Sequence, residues 1–150
     1  MLCWRIARRK YSDLSGRGGL KSAGRWHEAG NTVIYASTSV ALAALEYAVH
    51  TSERPHDSVL LRIAFPSDSL ISIEDLLGGP LPANWPFVDA QTRRIGTDWL
   101  RSASSLALTV PSLVIPFERN LLLNPSHPRA TELELLESVP FFFDPRLFGV

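Results

Sequence analysis

Apolar residues along the chain fall in short bursts broken by proline, glycine and small polar residues, and the spacing inside each burst predicts its element. Residues 1–7 read as a short strand. Residues 32–37 (TVIYAS), β-branched and aromatic after Gly30-Asn31, predict a buried strand. A helix follows: Ser37, Thr38 and Ser39 are all competent N-caps, and residues 40–50 carry Ala41, Leu42, Leu45, Ala48 and Val49 around most of a helical surface. Glu46 is the one acid inside it, and taken alone it reads as facing solvent. Residues 57–65 (DSVLLRIAF), closed by Pro66, predict a second confident strand, and residues 69–73 a third. Beyond a loop framed by Pro80, Pro82 and Pro86, residues 88–102 have the spacing of an exposed helix with Ile95, Trp99 and Leu100 inward. Short strands are predicted at 106–110, 113–115 and 120–123, the last ended by the turn signal Asn124-Pro125. Residues 131–137 (TELELLE) fit either period. Their place after two prolines and before the apolar run 138–143 favours strand, with Phe141 to Phe143 as core. The sum is an α+β fold with a mixed or antiparallel sheet and about three helices.

Residues 8–24 form a long loop holding Gly16, Gly18, Gly19 and Gly24, and it carries much of the chain's basic charge. The first thirty residues hold Arg5, Arg8, Arg9, Lys10, Arg17, Lys21 and Arg25 against Asp13 and Glu28. That local excess suits a phosphate-bearing ligand, although a solvated basic surface has the same signature. The net charge of the whole chain is zero, so no general attraction draws it to nucleic acid or an anionic membrane. At 150 residues, 45% of them hydrophobic, with no linker or repeat, residues 1–150 are expected to form one domain. Cys3 has no partner for a disulfide, and the first residues offer no signal peptide or membrane span, which predicts a cytoplasmic protein. His27, His50, His56 and His127 lack paired ligand spacing, so no metal is expected. The loop glycines do not form a Rossmann fingerprint, Ser112 has no His and Asp companions for a triad, and Arg8-Arg9-Lys10 is too short to argue for DNA binding.

Arg5, Arg25, Tyr35, Glu46 and Ser112 gain meaning together. The chain has an early Trp4-Arg5, then Gly24-Arg25-Trp26, then Val33-Ile34-Tyr35-Ala36-Ser37 leading to Leu45-Glu46. It goes on through Pro111-Ser112, the run Asn120 to Pro125, His127-Pro128 and Asp144-Pro145-Arg146-Leu147. In this order and spacing the chain resembles the RES family of bacterial toxins over nearly its whole length. His27 departs from the asparagine common after the Arg-Trp pair.

The resemblance implies a fold similar to ADP-ribosyltransferase toxins and a site for NAD, used as substrate, with no further cofactor. It also implies the toxin role in a two-gene toxin–antitoxin pair. The partner would be an Xre-like helix-turn-helix antitoxin in a multimeric complex, and that partner would make any contact with DNA. Cleaving the nicotinamide–ribose bond develops an oxocarbenium-like charge that one carboxylate can stabilise, a role that falls to Glu46. Arginine forks match a pyrophosphate, which suits Arg5 and Arg25; Arg25 joins Glu46 as an expected catalytic residue. Tyr35 offers a flat face to the cationic nicotinamide, and Ser112 could position the amide or the ribose. NAD degradation by hydrolysis or phosphorolysis is the leading expectation. A protein mono-ADP-ribosyltransferase would use the same residues, and a silent binding module is the alternative outside catalysis.

Overall fold

In the computed structural model, which describes residues 1–149, seven strands build one sheet. They are β1 (Leu2–Arg8), β2 (Ile34–Ser37), β3 (Ser58–Ala64), β4 (Leu70–Ser72), β5 (Ala107–Pro111), β6 (Arg119–Leu123) and β7 (Glu134–Phe141). The order across the sheet is β4-β5-β6-β2-β1-β3-β7, and every pairing is antiparallel except β4 with β5. The helices are α1 (Gly18–Lys21), α2 (Val40–Ala48), α3 (Ile73–Leu77) and α4 (Asp89–Ser102). The α+β class and mixed sheet expected from the sequence are therefore what forms. The two long helices stand where their periodicity puts them, and α1 and α3 add single turns. The ambiguous segment 131–137 begins as a 3-10 turn (Ala130–Glu132) and continues as β7.

Strand alternation divides the core. One sheet face presents Cys3, Ile34, Ala36, Leu61, Ile63, Leu121 and Leu123, all buried. Fully burying each leucine or isoleucine there stabilises the fold by about 1.5–3 kcal/mol. The other face carries two separate clusters. One joins Trp26, Val33, Leu108, Val110 and Leu122 to Trp99 and Leu100 of α4, and the other joins Ile6 to Ala43 of α2 and to Phe143. No helix among the described residues is long and apolar enough to cross a membrane.

Two expectations are corrected. Residues 113–115 are not a strand: the Ser112 N–H donates to the Glu118 carbonyl, the Ile115 N–H to Ser112 Oγ, and the Glu118 N–H to the Ile115 carbonyl. These local bonds close a turn, so the apolar side chains that mimic a strand belong to a loop. Phe141 to Phe143 are not uniformly core. Phe143 is buried and packs edge-on against Phe141 and Phe148, while Phe142 is 77% exposed.

Candidate active site

The two sides of β1 are bonded very differently. Toward β3, every residue from Leu2 to Arg8 pairs with a partner from Ala64 to Ser58; toward β2 the register holds one pair, Trp4↔Ser37. Past that pair the strands part, and a cleft of about 730 Å³ opens. Arg5, Ile6, Ala7 and Arg8 line it from β1, Val33, Tyr35 and Ala36 from the β2 side, and Ala43, Glu46 and Tyr47 from α2. Its walls thus draw on both apolar clusters of that sheet face. The size is that of a small-molecule site.

Glu46 reaches the cleft because of where α2 begins and which face it buries. Ser39 caps the helix, its hydroxyl accepting the Leu42 N–H at 3.1 Å. Leu42 and Ala43 are its buried residues, and Glu46 lies four and three positions further on, over the same face. The carboxylate therefore turns inward instead of to solvent. Ser112 Oγ donates to its Oε1 at 2.7 Å, and Asn120 Nδ2 donates to the same oxygen at 2.5 Å. Ser112 is fully buried and does not line the cleft, so it touches the site through Glu46.

Arg25 lies in a short turn, closed by a bridge between Gly24 and His27, that α4 holds by its backbone. Arg93 Nε donates to the Gly24 carbonyl at 2.9 Å and Thr92 Oγ1 to the Arg25 carbonyl at 2.7 Å; the Glu28 N–H donates to Thr97 Oγ1 at 2.9 Å. Between them Gly96 lets the Trp26 carbonyl approach so closely that a methyl group would overlap it. The Arg25 guanidinium is paired with Asp89 at 2.9 Å and donates to the Pro86 carbonyl at 3.3 Å. Both groups of that pair keep solvent exposure, so it is a weak tether that an anionic ligand can replace.

Tyr35 presents its ring to the cleft and anchors its hydroxyl behind it. The Trp26 N–H donates to that oxygen at 3.1 Å, and His27 Nδ1 lies 2.7 Å away. His27 Nε2 is 2.9 Å from the Ser22 carbonyl, which only accepts, so Nε2 carries the proton and Tyr35 donates to Nδ1. Burial pulls the His27 pKa below 6.5 and keeps the ring neutral, and burial pushes the Tyr35 phenol well above its ordinary value. At Gly24 a β-carbon would stand 2.6 Å from the Tyr35 hydroxyl, so this contact requires glycine.

Arg5 is different again. It lines the cleft, yet among the described residues it has no ion-pair partner. Burial draws its guanidinium below the usual arginine value, opposed by the charge of Asp13. A half-buried cation with no carboxylate in contact is ready for an anion.

Of the residues singled out in the sequence, Arg5, Arg25, Tyr35 and Glu46 line one cleft and Ser112 stands behind Glu46. Asn120 and His27 were named only as parts of the family pattern, with no role in the site, while Asp89 and the α4 residues Thr92, Arg93 and Thr97 were not singled out. Asn120 gave a further signal, as the polar residue opening the otherwise apolar stretch of residues 120–123.

The sequence pattern of the RES domain matches residues 2–144. The chain is 41% identical over 155 residues to a protein of Pseudomonas putida named Toxin Res, covering 99% of this chain and 100% of that one. It is 39% identical over 152 residues to the Prs ADP-ribosylating toxin of Sphingobium sp., covering 96% and 94%. A chain in the crystal structure of the M. tuberculosis MbcT–MbcA toxin–antitoxin complex superposes on 99% of this one, 86% of that chain being covered. The TM-score is 0.73 at 18% identity, so the two share a fold. With a family match running from Leu2 to Asp144 and relatives at 39% and 41% identity over almost their full lengths, the chain belongs to the RES domain family.

Proposed function

We propose that this chain is the toxin of a toxin–antitoxin pair and that it consumes NAD by breaking the bond between nicotinamide and ribose. The observation that carries this reading is Glu46: a carboxylate at a cleft of ligand size, hydrogen-bonded by neutral donors and paired with no cation among the described residues. Its full charge is available to a sugar that becomes positive as the bond breaks, which stabilises the transition state more than the ground state. The bonding electrons leave with the nicotinamide nitrogen and neutralise it, so no second acid is required. Arg5 takes the pyrophosphate, with Arg25 exchanging Asp89 for the ligand, and Tyr35 offers its ring to the nicotinamide. The antitoxin, expected to be an Xre-like helix-turn-helix protein, would act by covering or reshaping this cleft. The solved toxin–antitoxin complex of the same fold supports such a partner.

A second reading keeps the same bond cleavage and changes the acceptor from water or phosphate to a protein side chain. The name of the Sphingobium relative favours it. One experiment separates the two. Purified protein is incubated with NAD labelled in its adenosine half, alone, with phosphate, and with cell extract. Label recovered as ADP-ribose or its phosphate ester supports NAD degradation, and label transferred to protein supports the transferase. Intact NAD in all three mixtures removes both and leaves a binding module.

A further inference from the structure

Asn120 has no role in the chemistry just described, yet it makes the shortest contact to the carboxylate at its centre. It lies in β6, in register with Ser37 of β2, and the paired residues share a sheet face. A carboxylate can only accept, so the amide must turn Nδ2 toward Glu46, at 2.5 Å from Oε1. Oδ1 then faces Ser37, whose hydroxyl donates to it at 2.7 Å. Ser37 is buried, and its hydroxyl holds the amide by the end that Glu46 leaves free. Ser112 donates to that same Oε1 from the other side, its own oxygen accepting the Ile115 N–H at 2.9 Å. Among the described residues no hydrogen bond reaches Oε2.

We propose that Asn120, anchored by Ser37, is a positioning residue that clamps Glu46 by Oε1 and leaves Oε2 for the substrate. The chemical part of this inference rests on the NAD-cleaving function; the clamp itself does not. An amide suits the task better than a cation. An arginine or lysine at the same distance would hold the carboxylate as firmly, but its charge would offset the attraction between Glu46 and a cationic sugar. Hydroxyl and amide donors fix the group and leave its net charge intact.

The informative variant is Asn120→Asp, which keeps the shape and makes donation depend on a proton. Protonated, the introduced carboxyl gives an O–H to Oε1 in place of the N–H; ionised, it sets a second negative charge against Glu46. Activity close to the natural protein's is expected at acidic pH. As pH rises, kcat should fall roughly 10–100-fold with KM within about threefold, a limb the natural protein lacks. Asn120→Ala should show the kcat loss at every pH. An unfilled cavity or a packing role would not produce recovery with acid. Carbon-13 NMR of the introduced carboxyl gives a readout independent of turnover, because contact with Glu46 should keep its proton on above the ordinary aspartate range.

A pH profile matching the natural protein's, or a carboxyl that titrates as an ordinary aspartate, overturns the clamp. If the natural protein leaves NAD intact while the introduced carboxyl still holds its proton, the clamp stands and the NAD reading falls. Should Asn120→Asp not fold, Ser37→Ala carries the test: reduced kcat at constant KM supports the proposal, and unchanged kcat overturns it.

Discussion

Glu46 and Arg5 are opposite charges at the same cleft, and they are supported in opposite ways. Glu46 receives hydrogen bonds from Ser112 and Asn120, which are themselves fixed by Ile115 and Ser37. Arg5 is half-buried, with no carboxylate in contact among the described residues. The carboxylate is thus in place before any ligand arrives, at little cost to the fold, while the guanidinium stands ready for an anion. One end of the site is built for a reaction and the other for binding, and the two should fail differently when altered.

The sharpest break is Glu46→Gln. The amide oxygen can still accept from Ser112 and Asn120, so the fold should persist while kcat for NAD falls by about a thousandfold, near 4 kcal/mol in barrier height. Steady-state kinetics with product identification checks it, and a loss under tenfold would remove Glu46 from the chemistry. Next comes a contrast in stability. Glu46→Leu strips the acceptor from the buried Ser112 hydroxyl and the half-buried Asn120 amide and should destabilise the unliganded protein by about 1–3 kcal/mol. Arg5→Met should leave unliganded stability unchanged or raised, and should weaken NAD binding by roughly 10–100-fold as charged hydrogen bonds are lost. Thermal unfolding with and without NAD reads both variants, and the reverse order of stabilities would refute the contrast. The smallest effect concerns His27, which accepts the Tyr35 hydroxyl proton at Nδ1. Its folded pKa is depressed below 6.5, so the stability from the neutral ring is complete above that value and is lost as pH falls toward the folded pKa. Denaturant midpoints above and below pH 6.5 should show a decline that His27→Asn reduces, and an equal decline in both proteins would assign it to other groups.

How far the sequence revealed this depends on whether a feature is local. The alternation in residues 57–65 and the cap at Ser39 are decided within a few neighbours, and both elements formed where expected. The segment 113–115 misled because three apolar residues satisfy strand propensity, whereas the Ser112 hydroxyl accepts the Ile115 N–H and turns the backbone. Glu46 looked solvent-facing because its helix is apolar almost all round and hides which face is inner. Its partners are 66 and 74 residues away in sequence, which no local pattern records. The same holds for α4. Its apolar spacing was legible, but the use of Thr92, Arg93 and Thr97 to hold the turn around Arg25 depends on a contact made only after folding. The resemblance supplied the names of cleft residues without their wiring, which is why Ser112 was expected at the substrate and is found behind the carboxylate.

Cys3 sits on β1, between β2 and β3, with no exposed surface and a thiol pushed by burial up to about 12. In the native protein it is neither ionised at neutral pH nor reachable by a reagent. As the one cysteine of the chain, it can react only when the middle of the sheet opens. The rate of its alkylation therefore serves as a built-in clock for global opening, and ligand or antitoxin binding can be followed as a slowing of that clock. For the same reason a fluorophore or crosslinker can be attached through a new cysteine at the exposed Phe117 without background from the natural thiol.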